Sequence, residues 1–474
     1  MPTLMQALMQ APIQTSSTTL TGTMQVVRLN LRRDRLRFAV WLVCLTGLVG
    51  ATTSAIQNLY PTAADLAGYA DTAGSSPAAI ALNGPAHAVD SAGGATVFEI
   101  GGYVSIAIAL MSVLIVGRCT RAEEESGRLE LLRANVLGRH AVLAAAVIVM
   151  VGTNIVVGTT VAAIMTALGL PVAGAATFGA SLAGTGIVFG AVAAVTSQVS
   201  EHARGSNAIA GVVIAAAYVV RAAGDVAETG LSWLSPFGWG QATRPFGDLR
   251  WWPLSLGAGV AVLLLTVAVA LQSRRDVGAG LVPQRPGPAQ AAPALLNQVG
   301  FSIRLQRASL VGWTVGVFLG GLAFGSVGRE MEGIVAESED LQEWVSTYGA
   351  DPTEAFLSLT LLLLSLAAAG CAIASALRII GEESAGRAEP ILATPIGRSV
   401  WLLSHLVAPL TAAILVPVAG GLGAGIAYGV LTSDAGQIPQ LAGAALAHVP
   451  AVWLVTGATV LLIGLLPRVA VAAR

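Results

Sequence analysis

Glu123-Glu124-Glu125-Ser126-Gly127-Arg128-Leu129-Glu130-Leu131-Leu132-Arg133-Ala134, followed by Gly138-Arg139, returns later in the chain as Glu382-Glu383-Ser384-Ala385-Gly386-Arg387-Ala388-Glu389-Pro390-Ile391-Leu392-Ala393, followed by Gly397-Arg398. The differences 386 − 127 and 398 − 139 both equal 259. Each copy is a dense charge cluster that lies between two long apolar runs. Two such islands at one fixed offset mark a duplicated unit.

The rest of the chain explains why charge is so concentrated. Charged residues make up 11% and hydrophobic residues 55% of the sequence, with a mean hydropathy of +0.74. A soluble chain carries about 25% charged residues, so the fold class is an all-α polytopic membrane protein. A membrane-spanning helix needs about 20 apolar residues. Ten stretches meet that need, near 38–57, 97–117, 141–168, 175–198, 208–223, 253–271, 309–327, 356–377, 400–430 and 440–466. The run Gly420-Gly421-Leu422-Gly423-Ala424-Gly425 suits close helix–helix approach.

All 25 basic residues are arginines. A P-loop needs a lysine to reach the phosphates, so this chain has no ATP site of that kind. Cys44, Cys119 and Cys371 lack metal or redox spacing, and His140, His202, His405 and His448 lack ligand spacing. Neither a catalytic nor a metal constellation is visible, and nothing points to nucleic acid.

Arginine placement sets orientation. Five arginines precede the first span, five lie between the second and third, and Arg378, Arg387 and Arg398 surround the second copy of the motif. Both termini and both motifs therefore face the cytoplasm, and the two halves are parallel repeats. Residues 1–23 read as a disordered N-terminus. Residues 24–275 form the first repeat, with an amphipathic surface helix over 24–37 and a charged segment at 120–139. Residues 276–300 are a proline-rich cytoplasmic linker, and 301–474 form the second repeat, with its charged segment at 378–398. The loops 58–96 and 328–355 lie outside, the latter acidic. Shifted by 259, the first repeat would end near residue 530. The expectation is ten spans here and twelve in a complete chain, with the last two helices of the second repeat missing; the alternative is an intact protein of ten spans.

In each island, the carboxylates and arginine lie within i,i+4 reach on a short helix, and Gly127 or Gly386 permits a bend. Leu131 and Leu132, or Ile391 and Leu392, add an apolar patch that such a helix cannot bury alone. The segment can dock a cytoplasmic protein. The competing reading packs it against the ends of its own bundle. Within the spans, Glu99, Asn154 and Arg221 are candidates for a substrate path, since polar groups in a membrane are costly and often functional.

The paired motifs, the basic stretch Arg28-Leu29-Asn30-Leu31-Arg32-Arg33-Asp34-Arg35 and Trp233-Leu234-Ser235-Pro236-Phe237-Gly238-Trp239 together resemble the permease subunits of tetronasin-type, polyketide-antibiotic ABC exporters. The resemblance implies a fused permease of two six-helix halves in a bacterial cytoplasmic membrane, exporting lipophilic drugs. It also implies two copies of a separate cytoplasmic ATPase that bind ATP and Mg, with no cofactor held by this chain. The coupling residues would be Glu123, Glu124, Gly127, Arg128, Glu130 and Arg139, with Glu382, Glu383, Gly386, Arg387, Glu389 and Arg398. The rivals are a proton-coupled antiporter of the major facilitator type and a membrane scaffold. The antiporter's motif lacks the Glu-Glu pair, and it would need acidic groups in the membrane, where Glu99 is nearly alone.

Overall fold

Long apolar segments satisfy their backbone hydrogen bonds internally when lipid offers none, and the helix does so within one segment. The computed structural model describes residues 19–74, 76–127, 137–276, 278–282, 287–328 and 352–465, and no strand occurs among them. Its helices, in chain order, begin with α1 (Thr23–Leu59), α2 (Ala63–Ala73), α3 (Pro77–Asn83), α4 (Ala92–Cys119) and α5 (Arg121–Glu125). There follow α6 (Ala141–Ala167), α7 (Val172–Val199), α8 (Ala203–Val226), α9 (Pro236–Gln241) and α10 (Trp252–Gln272). The second part holds α11 (Gln298–Val327), α12 (Pro352–Ala376), α13 (Arg378–Ser384), α14 (Ala388–Leu392), α15 (Arg398–Thr432), α16 (Gln437–Leu446) and α17 (Val449–Leu465). Among the described residues ten helical segments are long and apolar enough to cross a membrane, and each coincides with one of the ten stretches read from the sequence.

The chain divides into two compact units, 1–285 and 286–474. In the first, α7 is the central helix, packed by α4, α6, α8 and α10. In the second, α11 and α15 make the most extensive contact. Small residues permit it: a Cβ added at Gly321 would lie 2.1 Å from the carbonyl oxygen of Gly420, and one at Gly423 would lie 2.2 Å from that of Phe318. The helix starts keep the repeat, for Pro352 follows Ala92 by 260 residues and Arg398 follows Ala141 by 257.

Three features differ from the sequence reading. The arginine-rich stretch over 24–37 is continuous with the first span in a single 37-residue helix. Its buried side is Val26, Val27, Asn30 and Asp34, while Leu29, Leu31 and Leu36 are exposed together with Arg28, Arg32 and Arg35. The apolar–basic alternation therefore does not separate inside from outside; the spacing of four between 26, 30 and 34 does. At the N-terminus, residues 1–18 lie outside the described residues, but the backbone at Thr19 and Thr21 accepts from the N–H of His140 and Gly138, each at 2.9 Å. The third difference is in the linker, where Leu281 and Val282 donate to the carbonyls of Gln198 and Val199, both at 3.1 Å. The acidic segment 329–351 lies outside the described residues.

Candidate functional site

The two islands share a backbone device. Gly127 and Gly386 have φ of 71° and 69°, the left-handed region, one residue past the cap of α5 and α13. In the second copy the N–H of Gly386 donates to Glu383 (2.9 Å) and that of Arg387 to Glu382 (3.0 Å), which together close a Schellman turn. In the first copy Gly127 donates to Glu124 at 3.1 Å. No atom lies within 4 Å of a Cβ built on either glycine. Gly386→Ala is therefore expected to cost about 1–2 kcal/mol through backbone strain alone. Thermal unfolding in detergent checks this, with Gly386→Asn losing less because asparagine tolerates this conformation.

Glu123 and Glu382, equivalent by the 259-residue offset, are each 7% exposed and turned inward. Glu123 accepts from the Arg33 guanidinium, which also holds Asp34 at 2.9 Å. Glu382 accepts from Arg387 Nε at 2.7 Å and Nη2 at 3.1 Å, and lies 3.7 Å from Arg378. That hydrogen bond to Glu382 holds the Arg387 guanidinium above its ordinary range. The inner carboxylates are thus committed within the chain.

Their neighbours differ between copies. Glu124 takes Arg121 Nη1 at 2.7 Å and a two-pronged contact from Arg275, at 2.9 and 2.8 Å. Arg121, with no exposed surface, also donates to the carbonyls of Ser197 and Ala279. This cluster ties α5 to the end of α7 and to the linker. The counterpart of Glu124 is Glu383, which is exposed, as are Arg387, Glu389 and Arg398. Ile391 and Leu392 are half-buried against Ile379, Ala388 and Trp401, so the second copy's apolar patch packs on its own unit. Arg139 donates to the carbonyl of Ser273 at 2.7 Å, capping α10. Arg128 and Glu130, with Leu131 and Leu132, lie outside the described residues.

Each of the three polar residues inside the spans has partners in its own unit. Asn154 Nδ2 donates to Ser112 Oγ (2.9 Å) and to the carbonyl of Met150 (2.8 Å), linking α4 and α6. Glu99 accepts from the Tyr69 hydroxyl of α2. Burial pushes Tyr69 well above its ordinary range, and the Glu99 carboxylate adds to it. Arg221, also without exposed surface, pairs with Asp225 at 3.4 Å and donates to the carbonyls of Ile80, Ala81 and Leu82 at 3.3, 2.9 and 3.2 Å. These carbonyls belong to the last turn of α3, a short helix between the first two spans. Sequence reasoning missed this anchor; the available signal was Ser76-Pro77 and Gly84, which mark the start and stop of α3.

Residues 24–271 and 295–473 match the family described as multidrug efflux system permease Rv1217c, C-terminal domain. The chain is also similar to the multidrug efflux system permease protein Rv1217c of Mycobacterium tuberculosis (strain H37Rv). The two are 39% identical over 452 residues, which is 94% of this chain and 82% of the relative.

Proposed function

Because the chain belongs to the Rv1217c family of multidrug efflux permeases, we propose that it is the membrane-spanning subunit of an ATP-driven exporter of lipophilic drugs. ATP and Mg are held by two copies of a separate cytoplasmic ATPase, because a chain without lysine lacks the P-loop's phosphate ligand. The membrane is the bacterial cytoplasmic membrane.

The observation that carries the coupling role is the split in the second island. Glu382 faces inward and is locked by Arg387, while Glu383, Glu389 and the outer surface of Arg387 stay exposed beside a rigid turn. A segment fixed on its inner side and charged on its outer side transmits a push from a partner to the helices on either side, here α12 and α15. The short helix moves as a rigid piece because its turn is hydrogen-bonded and its apolar residues are packed.

The test uses inverted membrane vesicles containing the chain and any ATPase encoded beside it, with uptake of a lipophilic fluorescent drug followed after ATP addition. Uptake abolished by vanadate and retained with a protonophore is the expected result. Uptake that survives vanadate and collapses with the proton gradient would replace this reading with the antiporter. Glu383→Arg with Glu389→Arg is expected to leave drug-independent ATP hydrolysis and lower uptake at least tenfold.

A further inference from the structure

A cavity of about 390 Å³ lies at the end of the first unit remote from its island. The loop before α4, the end of α8 with the turn after it, and the segment joining α9 to α10 build its walls. The start of α8 is at the island, where the N–H of Ala203 donates to Glu125 at 3.2 Å. The 24 residues of α8 then carry the chain about 36 Å away. Trp233, on the cavity wall, stacks on Trp252 with ring centres 5.1 Å apart, and Trp251 and Trp252 are exposed. Exposed tryptophans at the ends of spans mark headgroup depth.

The lining carries both signs of charge, on different elements. Arg244 and Arg250, between α9 and α10, converge on Asp248 (3.9 and 2.7 Å) and keep 35% and 39% of their side-chain surface accessible. Asp225 and Glu228 lie at the end of α8, whose last carbonyls add partial negative charge. Burial, with the charges of Arg244 and Arg250, holds the His87 imidazole below its ordinary range, so His87 brings no third cation at neutral pH. Gln241 Nε2 donates to the carbonyl of Asn83 at 3.2 Å, which fixes the orientation of the amide. Its Oε1 is left buried, with no partner among the described residues. The backbone around these groups is strained. Five non-glycine residues have left-handed φ among the described residues. Glu228 (50°) and Arg244 (48°) line the cavity, and Ala88 (54°) and Phe246 (63°) lie within two residues of lining positions. Such strain persists where the surroundings over-determine it, and it gathers at ligand sites.

An anion at the arginines would face the carboxylates of α8, and a cation at those carboxylates would face the arginines. A head carrying both charges satisfies each wall. Only a cation that bears N–H groups also supplies the donor that Gln241 Oε1 lacks. We infer that this cavity binds a zwitterionic head made of a phosphate and a primary ammonium, as in phosphoethanolamine. The phosphate lies against Arg244 and Arg250, and the ammonium between Glu228 and Gln241. The site is independent of how transport is driven.

The test follows hydrogen exchange over 226–233 and 242–251 with the full chain in phosphatidylcholine nanodiscs. The discs are titrated with phosphatidylethanolamine or phosphatidylglycerol of the same acyl chains. Phosphatidylethanolamine is expected to slow exchange in both segments at about tenfold lower mole fraction than phosphatidylglycerol, the scale of one hydrogen bond to a charged group. Glu228→Gln is expected to erase that preference, because it removes the exposed carboxylate that favours the ammonium and opposes an acidic head. Arg244→Gln is expected to weaken protection by both lipids. Unchanged exchange over α7 shows that each variant keeps its fold. Equal protection by the two lipids in the unmodified protein, or a preference that survives Glu228→Gln, would overturn the inference. Soluble phosphoethanolamine added to pure phosphatidylcholine discs separates the sources. Protection there assigns the site to the free zwitterion, and protection by the lipid alone assigns it to the lipid headgroup.

Discussion

Glu124→Gln is expected to destabilise the first unit by about 3–5 kcal/mol, the scale for breaking a buried ion pair and stranding its partner, whereas Glu383→Gln at the equivalent position leaves stability unchanged. The contrast follows from what each carboxylate touches. Glu124, 7% exposed, neutralises Arg121, which has no exposed surface, and Arg275, which is 5% exposed. Among the described residues, removing its charge leaves the two buried guanidiniums hydrogen-bonded to backbone carbonyls and the Gln198 amide oxygen. Glu383 is exposed, and surface substitutions away from buried networks stay within about 0.5 kcal/mol. Thermal unfolding in detergent measures the difference. Trypsin supplies an independent readout, since Arg274 and Arg275 are cleavable once the linker leaves α5 and the end of α7. Equal melting temperatures for Glu124→Gln and the unmodified protein would show that the cluster contributes no net stability. The same pair of variants separates the roles of the copies. Glu383→Gln is expected to lower drug uptake without loss of folded protein, and Glu124→Gln to lower both together.

The spans were legible because lipid imposes a length. Any helix that crosses needs an apolar run, and runs such as 141–167 and 398–432 carry no acidic residue. The left-handed turns were legible for a similar reason, since Gly127 and Gly386 recur in register and the bend requires glycine. The destinations of the charges were not. Sequence spacing proposes local partners, so Glu123 and Glu124 were matched to Arg128. Among the described residues their partners include Arg33 and Arg275, 90 and 151 residues away. The second island fits local reading better, because Glu382 does pair with Arg387, five residues on. Nothing in the composition of either island tells that both adjacent glutamates turn inward in the first and only Glu382 in the second. That depends on which neighbouring helix presents an arginine, a tertiary fact. The stretch over 24–37 failed for the same reason: its inward face is defined by Asn30 and Asp34, polar residues that a hydrophobicity pattern assigns to the outside.

Arg221→Met is expected to detach the short helix α3 from α8 and to raise hydrogen exchange over residues 77–83 by at least a hundredfold, with a cost again of about 3–5 kcal/mol. Three losses coincide. Asp225, 4% exposed, is left as an unpaired buried carboxylate. The carbonyls of Ala81 and Leu82, which lie past the last intrahelical donor, lose the guanidinium, and so does that of Ile80, which keeps the N–H of Gly84 at 2.9 Å. The stacking of the guanidinium over Tyr218, 4.2 Å from the ring centre, disappears as well. What remains is the Tyr218 hydroxyl on Leu82 and Gln241 Nε2 on Asn83 at 3.2 Å, which hold the end of α3 more weakly. Adding Asp225→Asn to Arg221→Met should recover part of the stability, because it removes the stranded charge, but it should not restore the exchange protection of α3. Arg221→Lys discriminates between anchor and substrate contact. A single ammonium cannot span three carbonyls and a carboxylate as the forked guanidinium does. An anchoring role therefore predicts lost protection at 77–83 even where the drugs exported are unchanged. Intact protection with an altered order of drug preference would instead place Arg221 on the substrate path and reduce its contact with α3 to a consequence of packing.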